Sequence, residues 1–94
     1  MKLLIAALTA VIAAPALAHG SMTCSVDKAK LRPQAELVAA LTKAGWQVRK
    51  AGLENGCYEV YGKTPEGDRV EAFFDPATHE KLMVMRRGEV LFKK

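Results

Sequence analysis

Gly56-Cys57-Tyr58-Glu59-Val60-Tyr61-Gly62 and Gly67-Asp68-Arg69-Val70-Glu71-Ala72-Phe73-Phe74-Asp75-Pro76 decide how this chain folds. Each alternates with a period of two, the signature of a half-buried strand. Pro65-Glu66-Gly67 between them suits a three-residue hairpin loop with Gly67 in the left-handed region. That loop sets Gly62 opposite Val70, Val60 opposite Ala72 and Tyr58 opposite Phe74, which makes one apolar face. The other face carries Glu59, Tyr61, Arg69, Glu71 and Phe73 and is expected to be wet. Cys57 shares the parity of this second face.

Upstream, Asn55-Gly56 is the strongest short-range hairpin signal in the chain. A two-residue turn there pairs Leu53 with Tyr58 and Ala51 with Val60. Trp46 and Val48 have the opposite parity to Ala51 and Leu53, so one extra residue must enter the strand. Gly52 is the expected site of that β-bulge. Before Gly45 the period is helical: Leu37, Val38, Leu41 and Ala44 share a face, while Glu36 and Lys43 lie off it. Pro33 suits the first turn and Gly45 the stop, which predicts one helix over 33–44.

Downstream, Asp75-Pro76-Ala77-Thr78 reads as a turn, Leu82 to Met85 as a strand, and Arg87-Gly88 as a break. Val90-Leu91-Phe92 is a short last strand. The expected class is α+β: one helix packed on a three- to four-stranded antiparallel β-meander, with one disulfide.

The chain begins like an exported protein. Lys2 is followed by the uncharged run Leu3 to Ala14, then Pro15 and Ala16-Leu17-Ala18. That is a secretory signal over 1–18, too short for the roughly 20 apolar residues of a membrane span. Residues 19–32 then form a lead-in and 33–94 the domain. No stable membrane insertion is expected after cleavage. Of 14 Lys and Arg only Lys2 falls in 1–18, so the 76 residues that follow carry 13, against 10 Asp and Glu. The basic residues are scattered, without the aromatic-interleaved stripe of a nucleic-acid face, which excludes that partner class. Cys24 and Cys57 are the two cysteines and lack Cys-x-x-Cys spacing. In an exported chain they are expected to form a structural disulfide.

Gly45-Trp46-x-Val48 after an amphipathic helix, Gly56-Cys57-Tyr58-Glu59-Val60, Gly67-x-Arg69-Val70-Glu71 and Phe74-Asp75-Pro76-x-Thr78 together resemble the PepSY domains, above all the short, single-domain exported members. The resemblance covers about residues 31–86. It implies a helix on a small antiparallel sheet and a non-catalytic regulatory module, the family having been recognised first in propeptides that restrain secreted peptidases. The implied partner is an exported or envelope protein, a peptidase among the candidates, in the periplasm or outside the cell. One residue departs from the pattern: His79 stands where the family usually carries glycine before Glu80. A histidine there at positive φ is mildly strained. Either the turn is altered or the imidazole serves a purpose.

No Ser/His/Asp or Cys/His constellation is spaced for catalysis, and no cofactor motif is present, so neither catalytic residues nor a cofactor is expected. Glu59 and Glu71 are diagonal neighbours in the predicted register. Carboxylates about 5–5.5 Å apart serve retaining glycosidases, but a flat two-strand surface offers no cleft and Arg69 gives Glu71 a simple ion-pair partner. The alternative function is copper binding in the periplasm. His19 becomes the first residue after cleavage, and Met22, His79, Met83 and Met85 add soft or borderline ligands. Against it, methionines pack adaptably in ordinary cores. For Glu59, Tyr61, Arg69, Glu71 and Phe73 two readings stand: the face contacts a partner protein, or the lead-in held by Cys24 covers it.

Overall fold

A computed structural model describes residues 22–94; the expected signal segment and His19 lie outside the described residues. A 3-10 turn, Lys28–Lys30, precedes helix α1 (Gln34–Lys43). Five strands follow: β1 (Gln47–Glu54), β2 (Cys57–Lys63), β3 (Arg69–Phe74), β4 (Lys81–Arg86) and β5 (Glu89–Lys93). They form one antiparallel meander in sequence order. The class is α+β as expected, with five strands rather than three or four. Arg87 and Gly88, at φ 51° and 80°, form a primed turn that returns the chain to β4, so the last segment is a full sheet member.

The β2–β3 register is the expected one, with Tyr58 opposite Phe74, Val60 opposite Ala72 and Gly62 opposite Val70. Leu37 and Leu41 of α1 pack with Tyr58, Val60, Val70, Ala72, Phe74 and Val84 in a buried core. Trp46, Val48 and Ala51 border it, and Trp46 meets Phe74 edge-on at 6.2 Å. Burying such side chains away from water is what holds the helix to the sheet.

The bulge in β1 lies between Val48 and Lys50, not at Gly52. Parity requires one extra residue somewhere between Val48 and Ala51, and close backbone approach selects the place. Val48 faces Gly62, where a Cβ would strike the Gln47 carbonyl oxygen and approach the Val48 Cα to 3.0 Å. Only glycine admits β1 that close. Gly52 is an ordinary strand residue with open space around it.

No side chain caps α1. Arg32 anchors its start instead. The Arg32 amide donates to the Pro76 carbonyl (2.8 Å), its guanidinium to the Thr78 carbonyl (3.3 Å), and its own carbonyl accepts from the Tyr58 hydroxyl (2.6 Å). The Asp75 carboxylate accepts from the Ala77 and Thr78 amides and shapes the turn that receives Arg32.

Candidate functional site

Cys24 and Cys57 are joined, and the Cys24 amide donates to the Asn55 carbonyl at 2.9 Å. The lead-in is thereby tied across the end of the sheet face that lies away from α1. Beneath it Cys57, Phe73, Met83 and Met85 form a second buried cluster, with Met22 and Cys24 packed against it. Phe73 is 1% exposed and Glu59 7%. The wet-face expectation therefore fails for these two residues. Their parity is as read, but the tethered chain and the β4 methionines cover that side. Phe73 sits opposite Met83, so a strand distant in sequence supplies the apolar neighbour.

The far end of the same face is open. Tyr61 and Glu71, directly opposite one another, are partly buried, and Arg69 is exposed. They border a groove of about 540 Å³ whose lining includes Arg49, Lys63, Arg69 and Arg87. Of the five face residues expected to act together, three remain at the groove, Phe73 belongs to the second core and Glu59 is buried. Arg49, Lys63 and Arg87 escaped the sequence reading because they come from three separate elements. Parity was the available signal for two of them: Arg49 lies opposite in sense to Val48, and Lys63 continues the Cys57, Glu59, Tyr61 row.

Charge is segregated along this face. The Tyr61 hydroxyl lies 3.3 Å from Glu71 Oε2, and the Lys50 ammonium sits 5.5 Å over the Tyr61 ring. Burial, a hydrogen bond that the Glu71 carboxyl donates to the neighbouring Glu59 carboxylate, and the Glu59 charge push Glu71 up to about 7, against a smaller lowering by the bond Tyr61 donates. Burial and the same two carboxyl groups raise the Tyr61 phenol. Glu59 and Glu71 thus bond to one another. They do not stand apart with a substrate between them, as glycoside hydrolysis requires.

Folded Glu71 holds its proton to about pH 7, whereas the ordinary carboxyl releases it near 4.5. The native state binds the extra proton between those values, so this group makes stability fall as pH rises from 4.5 to 7 and level off above. Glu71→Gln is expected to melt close to the wild type at pH 5 and several degrees above it at pH 8. A gap that does not change with pH would refute the assignment.

The family model described as peptidase propeptide and YPEB domain (PepSY) matches residues 2–83. This chain belongs to the PepSY family. No curated protein and no solved structure matches it. The match extends further toward the start of the chain than the 31–86 read from its motifs, and it stops within β4.

In this PepSY domain His79 is held apart from the methionines of the proposed copper set, which lie in one cluster with Met22, and His19 is outside the described residues. The His79 ring lies 5.9 Å from the Tyr58 ring, on the face covered by α1, whereas Met83 and Met85 belong to the opposite cluster. A sheet separates them, because His79 sits in the β3–β4 turn while the methionines alternate away from the helix. Among the described residues no group of three or more His, Cys, Asp or Glu is placed to hold a metal ion. His79 does adopt positive φ, 68°, as the missing glycine implied. Its amide donates to the Asp75 carbonyl at 2.7 Å, which holds the strained turn closed, and its buried Nε2 has no hydrogen-bond partner. The imidazole is a wedge against Tyr58.

Proposed function

We propose that this PepSY domain is a non-catalytic, exported binding module that contacts and restrains another exported protein, a peptidase being the class its family description points to. The observation that carries this reading is the half-covered sheet face. The disulfide-tied lead-in seals the Phe73 end, while the Tyr61 end remains a groove lined by unlike side chains on rigid strands. Rigid elements presenting an aromatic residue beside arginines suit protein recognition. PepSY domains are typically extracellular or periplasmic, and a disulfide fits an oxidising compartment. No helix among the described residues is long and apolar enough to cross a membrane.

The reading is tested with Tyr61→Ala/Arg69→Ala, a double variant that leaves both cores untouched. Crosslinking of the tagged protein in its own compartment should recover an exported protein with the wild type and lose it with the variant. Added to that purified partner, if it is a peptidase, the wild-type domain should slow its turnover and the variant should not. Equal recovery by both proteins would remove the groove from the interface, and recovery of nothing by the wild type would remove the module reading.

A further inference from the structure

The groove breaks two local rules of protein structure at once. Lys63 and Arg69 are directly opposite across β2 and β3, and like charges in that position repel. Arg87 holds φ 51° with Gly88 at 80°, almost the geometry of Asn55 and Gly56 at 51° and 82°. The β1–β2 turn thus uses the residue such a turn favours, and the β4–β5 turn uses a strained arginine instead. Violations of local preference that lie together mark sites kept for function.

The cations are also uncompensated. Arg86 is bound by Asp68 and Glu89 at 2.8 and 3.2 Å, and the other ion pairs join Arg32 to Glu36 and Lys94 to Glu80. Arg49, Lys63, Arg69 and Arg87 have no carboxylate partner among the described residues. The acid in the groove wall, Glu71, is already engaged by Tyr61.

We propose that this groove receives the carboxylates of an acidic, extended peptide segment of the partner protein. The inference rests on the binding-module reading and names the chemistry of what is bound. Planar guanidinium forks match carboxylates two bonds at a time, and three of the four lining cations are arginines. A volume of about 540 Å³ admits a few residues, in the range of roughly 300–1,000 Å³ for small-ligand sites. A longer polyanion is disfavoured by what lies beyond the groove. A nucleic-acid backbone or an anionic membrane laid along this face would next meet Glu54, exposed on the neighbouring edge strand β1. A short acidic segment ends before it.

The test is fluorescence anisotropy of labelled hexaglutamate with the disulfide-intact protein in low salt. Arg69→Gln/Arg87→Asn is expected to weaken binding at least tenfold, and Lys28→Gln/Lys30→Gln, which removes the same charge far from the groove, less than twofold. Arg87→Asn places the preferred residue in a primed turn, so the groove variant should melt no more than slightly below the wild type and its loss of binding cannot be unfolding. Equal loss in both double variants would reduce the effect to net charge and overturn the proposal. So would tighter binding of a DNA oligonucleotide or of phosphatidylglycerol vesicles than of hexaglutamate. The two proposals separate cleanly. Partner capture that survives Arg69→Gln/Arg87→Asn sinks the groove chemistry alone. Hexaglutamate binding in a protein that captures no exported partner sinks the module reading alone.

Discussion

Replacing both cysteines, Cys24→Ser with Cys57→Ser, is expected to cost about 3–4 kcal/mol of folding stability in the chain-entropy view of a loop this long. The bond spans 33 residues and ties the lead-in to the start of β2. A domain of this size has only roughly 3–5 kcal/mol from a single core, so the double variant should stand near its folding midpoint at room temperature. One kcal/mol shifts the melting temperature of so small a domain by roughly 4–8 °C. The drop should therefore reach tens of degrees, read by circular dichroism with and without reductant. A second signal is specific to this structure. Losing the tether uncovers Phe73, Met83 and Met85, so the reduced protein should bind a hydrophobic dye before its helix melts. A change under about 1 kcal/mol would mean that the lead-in holds its place by packing alone, against the entropic account.

The second large effect belongs to Phe73. Alternation assigns it to the solvent side of the hairpin, where truncation would cost little. At 1% exposure it is instead the largest fully buried side chain of the described residues. Phe73→Ala should lose about 3–5 kcal/mol, and Phe73→Leu much less, because the cost follows the cavity left behind. Urea denaturation measures both. The two sites should also be coupled. In the cysteine-free background the lead-in no longer closes the cluster, so Phe73→Ala should cost less there than in the disulfide-bonded protein. A double-mutant cycle reads that difference, and strict additivity would count against the lead-in as the lid of this core. Phe74→Ala, on the helix side, should show no such coupling to the cysteines.

These two residues also show how far the sequence could be read. The alternation of Tyr58, Val60, Val70, Ala72 and Phe74 correctly named the face that α1 covers, because a strand's period of two is a local property of the backbone. Asn55-Gly56 and Pro65-Glu66-Gly67 set the register for the same reason: loop length and positive φ determine which residues oppose. The disulfide was legible from cysteine count and compartment. The bulge was legible in existence but not in position. Gly52 looked suited to it in sequence, whereas the close backbone approach at Gly62 is visible only across strands.

The candidate site was less legible, for a different reason. Parity correctly placed Tyr61, Arg69 and Glu71 on the face away from the helix. It placed Glu59 and Phe73 there too, and could not say that the two ends of that face have different fates. Arg49, Lys63 and Arg87 line one groove because the start of β1, the end of β2 and the β4–β5 turn lie at the same end of the strands.

The sequence by itself therefore determined the strands, their turns, the pairing of β2 with β3, the helix and the family. Each of these follows from local backbone preference or from a pattern along the chain. Tertiary structure alone decided what lies over each face. Period and parity report the side to which a residue points, but burial and pKa depend on what arrives there through space. At one end a disulfide-tethered segment made a second core, and at the other four cations line a groove with Tyr61 and Glu71.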